Sequence, residues 1–115
     1  IMVSAYYDWH WNDSSGKSKT KYKINSQEQE LFCLAGIYNS WKDHNEQVWD
    51  TYSIVTTQAN QQMKYIHNRK EAEGDQRMPI LITQNSQKAW LDPSIKPLDF
   101  AFPNYNPPII GFPVK

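Results

Sequence analysis

The stretch that decides the fold reads Thr56-Thr57-Gln58-Ala59-Asn60, then Met63, Ile66-His67 and Arg77-Met78-Pro79-Ile80. Its β-branched start favours a strand. Ala59, Met63 and Ile66 follow at helical spacings, which predicts a short helix over about 59–67 with one apolar stripe. Pro79 then opens a return strand. The sequence therefore predicts a strand–helix–strand unit with His67 just past the helix, where a histidine is either structural or catalytic.

Outside this unit, strand patterns alternate with polar turns. Strands are predicted over 3–11, 21–25, 31–38, 48–57 and 79–83, and a second short helix over 86–91, capped by Asn85 or Ser86. Residues 39–47 are predicted as a polar loop, and the proline-rich tail over 93–113 as short extended edges. Together these elements predict an α+β fold, a mixed, mostly antiparallel curved sheet with a few short helices.

The charge balance limits the kind of partner. Twelve basic and twelve acidic residues give a net charge of zero over 115 residues, so any nucleic-acid contact must be a local patch. Lys17, Lys19, Lys21 and Lys23 alternate, which places them on one face of a strand. That face is either a phosphate-binding strip or a solvated edge that lysines protect from aggregation.

The single cysteine, Cys33, lies inside an apolar run and is predicted to be a buried, unreactive thiol. One thiol suits a reducing compartment. The histidines and Cys33 lack the spacing of zinc ligands, so we expect no metal and no cofactor. The sequence contains no apolar stretch of membrane-spanning length and no signal peptide. We therefore expect no membrane partner and a cytoplasmic location, in association with the nucleoid.

Three ordered motifs resemble the SRAP family, the SOS response-associated peptidases, also called abasic-site processing proteins. They are Tyr6-Tyr7-Asp8-Trp9, Ala35-Gly36-Ile37-Tyr38 with Trp41, and the stretch quoted above continued through Trp90-Leu91-Asp92. The motifs extend over most of the chain. The resemblance implies that residues 1–115 form a single SRAP-like domain, truncated at its N-terminus and by a little at its C-terminus.

The resemblance also implies an activity. SRAP proteins bind single-stranded DNA at abasic sites and form a DNA–protein crosslink through an N-terminal cysteine, exposed when an autopeptidase activity removes the initiator methionine. That cysteine would precede Ile1, and Cys33 cannot replace it because an internal cysteine lacks a free α-amine. We therefore expect the piece to be an enzyme fragment that is inactive alone. We also expect it to associate with itself or to pair with the missing N-terminal segment.

Two residues match the family's catalytic positions. Asp8 stands where the family has a glutamate, one methylene longer, and His67 matches the catalytic histidine. A carboxylate beside an imidazole favours a protonated ring that can act as an acid. Here the acid would protonate the sugar ring oxygen, so that the abasic sugar opens to its aldehyde. The charged segment 68–76 separates His67 from Arg77, which the family pattern holds almost adjacent.

Four further residues are candidates for DNA binding: Trp9, Arg77, Lys17 and Lys19. Trp9 could stack on an exposed base, although its alternation with Tyr7 and Trp11 favours a core position. Arg77 binds either a phosphate or a carboxylate that anchors its strand. The rival interpretation of the whole chain is a non-catalytic DNA-binding or interaction module descended from the same family.

Overall fold

The computed structural model of the protein describes residues 1–69, 76–100 and 106–115. The strands are β1 (Met2–Val3), β2 (Tyr6–Trp11), β3 (Lys19–Ser26), β4 (Phe32–Leu34), β5 (Gly36–Lys42), β6 (Val48–Ile54), β7 (Thr56–Gln58), β8 (Arg77–Pro79), β9 (Leu81–Ile82) and β10 (Ile109–Pro113). The helices are α1 (Gln61–Ile66) and α2 (Gln87–Trp90), with 3-10 turns at Gln84–Ser86 and Pro97–Phe100. The predicted α+β class, with mostly antiparallel strands and a few short helices, is confirmed.

The described strands form four small sheets. Their orders are β1-β4-β9, β10-β3-β2, β5-β6 and β7-β8, and each pairing in the described ranges is antiparallel. The prediction of one strand over 3–11 is wrong in part, because the chain leaves the first sheet after Val3 and joins the second at Tyr6. The strand predicted over 21–25 is confirmed as part of β3, which pairs antiparallel with β2.

Three predicted strands are each split in two at one shared point. There the N–H of Ala35 donates to Ile80 O at 2.8 Å, Ile80 N–H to Val55 O at 3.0 Å, and Val55 N–H to Ala35 O at 2.9 Å. This closed ring of backbone hydrogen bonds replaces the regular ladder. At this ring the chain passes from β4 to β5, from β6 to β7 and from β8 to β9, so each of the three segments leaves one sheet and enters another.

The hydrophobic core lies between α1 and the β10-β3-β2 sheet. Met63 and Ile66 are the buried face of α1, as the stripe predicts, and they pack with Ile24 and Met78. The helix begins at the N-cap Asn60, whose side-chain oxygen accepts the N–H of Met63 at 2.9 Å. The core therefore holds α1 against the strand that carries Asp8.

Gly111 of β10 sets how closely α1 approaches the sheet. A Cβ atom at this position would lie 2.5 Å from Cδ1 of Ile66, well inside van der Waals contact. Because glycine has no Cβ, the last turn of α1 can rest directly on β10. The extended strand β10 at the edge of its sheet also agrees with the prediction for the proline-rich tail, of which residues 101–105 lie outside the described ranges.

Two local predictions hold only in part. Residues 39–42 are not loop, because β5 continues to Lys42 and the connection to β6 is only 43–47. Ser86 is the N-cap of α2 but makes no capping bond with its side chain. Its hydroxyl instead accepts a hydrogen bond from Thr83 at 2.9 Å, and a 3-10 turn precedes the helix.

The β5–β6 hairpin stands apart from the core. Seven of its apolar side chains are exposed, and Tyr38 reaches 88 %. They are Ile37, Tyr38, Trp41, Val48, Trp49, Tyr52 and Ile54. Cys33 is only half-buried on β4, so the prediction of a buried thiol holds in part. Within the described ranges, no helix has the length and apolarity needed to cross a membrane.

Candidate functional site

Asp8 and His67 lie in contact beside the C-terminal end of α1. The Nδ1 atom of His67 is 3.0 Å from Oδ1 of Asp8 and 3.1 Å from Oδ2. Asp8 is on β2 and pairs with Tyr22 of β3, while His67 follows the last residue of α1. Residues 59 positions apart in sequence are thus joined, because the core holds the helix over this sheet.

The end of the helix holds the backbone of His67 on its N-terminal side. His67 is the C-cap of α1, and its backbone N–H donates to Met63 O at 2.7 Å. An ionised carboxylate only accepts hydrogen bonds, so in this contact the ring proton is assigned to Nδ1. The side chains of His67 and Asp8 are 24 % and 21 % exposed, which leaves the pair within reach of a bound molecule.

The surroundings of Asp8 are polar on one side and apolar on the other. Its Oδ1 also accepts the backbone N–H of Trp9 at 2.7 Å. Tyr6 lies two residues earlier on the same face of β2. Burial, and secondly the charge of Asp8, raise the pKa of Tyr6 far above its ordinary value. Tyr6 therefore remains a neutral phenol, with its hydroxyl 3.5 Å from the sulfur of Met63.

Two residues near the pair were missed by the sequence reasoning. Nδ1 of His10 lies 2.7 Å from the carbonyl oxygen of Tyr65, and the two rings stack with centroids 4.7 Å apart. The side chain of Asn68 forms hydrogen bonds with both the backbone N–H and the backbone carbonyl oxygen of Trp11. The strand alternation of Tyr6, Asp8 and His10 was a usable signal for His10, whereas Asn68 carried no signal because it looks like the first residue of a polar loop.

The predicted core position of Trp9 is wrong. Trp9 is 48 % exposed, and it shares an outer face with Tyr7 and Trp11. Both faces of β2 carry aromatic residues, so alternation alone could not indicate which face is buried. The face with Tyr6 and Asp8 is the one that turns to α1.

The outer face combines aromatic rings with lysines. Lys19 lies opposite Trp11 in the β2–β3 pairing, with Nζ 5.3 Å from the ring centroid. Lys21 lies opposite Trp9 and is 4.4 Å from the ring of Tyr7. Lys17 is exposed in the connection before β3, where its backbone N–H reaches Asp13 at 3.3 Å. The alternating lysines thus share one face, but Lys17 precedes the strand.

Arg77 lies on the β7–β8 pair, where its guanidinium group bonds Thr56. Its Nε donates to the hydroxyl of Thr56 at 2.8 Å and its Nη2 to the carbonyl oxygen of Thr56 at 2.6 Å. The role of anchoring its strand, which was considered from the sequence, is therefore filled by hydrogen bonds to Thr56. The side chain is exposed, so a phosphate contact stays a prediction.

Among the described residues, no group of histidines, cysteines and carboxylates could hold a metal ion. The contact with the Asp8 carboxylate through Nδ1 orients the imidazole of His67. A carboxylate in contact with an imidazole is a combination that general acid–base catalysis uses. An aromatic and basic face lies on the other side of the same strand.

Comparison with known proteins bears on this site. Residues 1–104 match the family model described as SOS response associated peptidase (SRAP). The abasic site processing protein YoaM of Bacillus subtilis is 33 % identical over 93 residues, covering 81 % of this chain and 37 % of YoaM. The chain thus spans little more than a third of the length of that relative.

Two crystal structures have a similar fold. A protein of Bacteroides thetaiotaomicron superposes with a TM-score of 0.83 at 28 % identity, covering 100 % of this chain and 48 % of its own. A protein of Bordetella bronchiseptica superposes with a TM-score of 0.80 at 19 % identity, covering 100 % of this chain and 53 % of its own. The second likeness concerns the fold alone.

Proposed function

Because the chain belongs to the SOS response-associated peptidase (SRAP) family, we propose that it processes abasic sites in single-stranded DNA by forming a covalent crosslink. The name of YoaM, an abasic site processing protein, supports DNA with abasic sites as the target. The observation that carries the proposal is the contact between His67 and Asp8 at 3.0 Å. Both residues stand at positions where the family motifs have their catalytic pair.

The proposed reaction uses this pair as a proton source. His67 protonates the ring oxygen of the abasic sugar while Asp8 holds the imidazole. The bond between that oxygen and C1 breaks, and the C1 hydroxyl gives its proton to water, which leaves an aldehyde. The amine of an N-terminal cysteine adds to the aldehyde carbon and water leaves, giving an imine. The cysteine sulfur then adds to the imine carbon and closes a thiazolidine ring. The cysteine belongs to the whole protein, as does the proposed autopeptidase step that exposes it.

The outer face of β2–β3 is proposed to hold the DNA strand. Exposed Trp9 offers a stacking surface for a base, and base–aromatic stacking contributes about 1–3 kcal/mol per base. Lys19, which lies opposite Trp11 on the same pair of strands, and Lys17, in the connection before β3, would contact phosphates. With zero net charge, the affinity must arise from this local patch.

We propose that the exposed β5–β6 hairpin is covered in the working protein. Tyr38 and Tyr52 are paired across the hairpin and are 88 % and 69 % exposed, which is unusual for large side chains of a stable monomer. The chain would associate with itself or pair with a further segment of the protein. Sedimentation of this chain tests the first case, and an Ile37→Lys variant should reduce any self-association.

The second candidate is a non-catalytic DNA-binding module. It is favoured by Asp8, which replaces the glutamate expected at this position. The two functions share the DNA surface and differ in the covalent step, so one experiment on the intact protein separates them.

That experiment measures crosslinking to an abasic oligonucleotide by gel, alongside filter binding of undamaged single strands at fixed salt. His67→Ala should slow crosslinking by about 10²–10⁴-fold, as for loss of a general acid, and leave binding unchanged. His44→Ala is the matched control, because His44 is exposed in the 43–47 connection. Binding without any crosslink in the parent protein would support the module, and equal crosslinking by both variants would make His67 structural.

A further inference from the structure

The position of His67 needs more than the helix to hold it. Helix α1 ends at Ile66, one residue before the imidazole, and has only six residues. Nine residues, 68–76, then separate His67 from Arg77 and β8. Contacts of two described residues, Asn68 and His10, hold the backbone on either side of His67.

Asn68 holds the backbone on the C-terminal side of His67. Its Oδ1 accepts the backbone N–H of Trp11 at 2.7 Å, and its Nδ2 donates to the carbonyl oxygen of Trp11 at 2.8 Å. The carboxamide therefore satisfies both backbone groups of one strand residue, as a neighbouring strand would. Both bonds are partly buried. They attach the residue after His67 to the strand that carries Asp8.

His10 makes the matching contact on the other side. Its Nδ1 lies 2.7 Å from the carbonyl oxygen of Tyr65, a hydrogen bond in which the ring N–H donates. The stacking of the two rings adds a second contact between β2 and the last turn of α1. The backbone is thus held to β2 at residues 65 and 68, on both sides of His67.

We propose that Asn68 is a positioning residue that, with His10, holds the imidazole of His67 on the carboxylate of Asp8. The importance of this positioning role for catalysis rests on the proposed function, but the geometry can be tested without DNA. The bonds of Asn68 and His10 lock the backbone of residues 65–68 onto β2. Without them, the end of α1 moves against β2, and Nδ1 no longer stays within 3.0 Å of Asp8.

The test uses this chain labelled with 15N on its histidines. In the parent, the neutral form of the His67 ring should carry its proton on Nδ1. Asn68→Ala should raise the population of the Nε2–H tautomer at least threefold. It should also speed amide exchange of Trp11 by roughly tenfold, because its acceptor is lost. Asn85→Ala, an exposed site in the 3-10 turn, is the matched control and should change neither signal.

A second variant keeps the proposal testable even if Asn68→Ala does not fold. His10→Phe keeps an aromatic ring against Tyr65 and removes only the hydrogen bond, so it should shift the His67 tautomer in the same direction by a smaller factor. Faster Trp11 exchange with an unchanged tautomer would overturn the proposal, since Asn68 would then fix only the start of the connection. Failure of the crosslinking experiment with an altered tautomer would refute the proposed function and leave the positioning role standing.

Discussion

The carboxylate of Asp8 meets Nδ1 of His67 with both oxygens, at 3.0 and 3.1 Å. Asp8 is one methylene shorter than the glutamate of the family motif, yet it reaches the imidazole. It does so because α1 rests closely on the sheet, which brings the helix end to β2. The shorter side chain is therefore compatible with the orienting role proposed for this residue.

Asp8→Asn should lower crosslinking in the intact protein by at least tenfold. The amide keeps the size of the carboxylate but offers one acceptor and one donor, so it no longer fixes a single tautomer of His67. Crosslink formation against time is the measurement. Asp99→Asn, at an exposed position in the Pro97–Phe100 turn, is the matched control and should retain the parental rate.

Trp9→Ala should weaken binding of single-stranded DNA by about 5- to 150-fold, the equivalent of one lost base stack. Trp9→Phe should recover part of the loss, because a smaller ring still stacks. Trp49→Ala is a close control: Trp49 is 46 % exposed, against 48 % for Trp9, but lies on the β5–β6 hairpin. Equal losses in both tryptophan variants would remove the outer face of β2 from the DNA site.

Replacing Lys17 and Lys19 by glutamine should reduce the salt dependence of DNA binding. Each phosphate contact on a single strand contributes about 0.7 to the slope of log affinity against log salt. Filter binding over a salt series gives the slope. Lys88→Gln, at an exposed position on α2, should leave it unchanged. A slope unaffected by the double change would leave these lysines as a solvated, protective edge.

Arg77→Lys separates the two roles considered for this arginine. Lysine keeps the charge but cannot reproduce the two bonds to Thr56, so the free energy of unfolding should fall by about 1 kcal/mol. Urea unfolding measures the change, with Arg69→Lys as the control. A stable Arg77→Lys variant with weaker DNA binding would contradict the anchoring role and favour the phosphate contact.

Acid should loosen the connection between β2 and β3 only at very low pH. Hydrogen bonds from the hydroxyl of Ser15 and the backbone of Ser18 lower the pKa of Asp13 to about 2. Since the pKa is depressed in the folded state, the stabilisation is present above the ordinary value of 3.8 and lost as pH falls towards 2. The amide shifts of Ser15 and Ser18 should report this transition, and Asp13→Asn should abolish it.

Much of the secondary structure could be predicted because its signals are local. The apolar stripe of α1 and the alternation along β3 each depend on neighbours within a few residues. The splitting of three strands could not be predicted in this way. It depends on the ring of hydrogen bonds among Ala35, Val55 and Ile80, which joins three distant segments and has no pattern in any one of them.

Only part of the site could be predicted from the sequence. Asp8 and His67 were found because their motifs resemble a family, and the polar residue in an otherwise aromatic strand is itself a signal. The orientation of Trp9 was misjudged because both faces of β2 are aromatic. Asn68 was missed because its partners are backbone groups of Trp11, which any residue type supplies.

Mutations at Gly111 should impair the site, although Gly111 is not one of the two residues that form it. A methyl group at this position would press on Ile66, the residue before His67. Alanine at 111 would lift the end of α1 from the sheet and withdraw the imidazole from its carboxylate. A random-mutagenesis screen for loss of crosslinking should therefore recover this position near the end of the chain, in variants that still bind undamaged DNA.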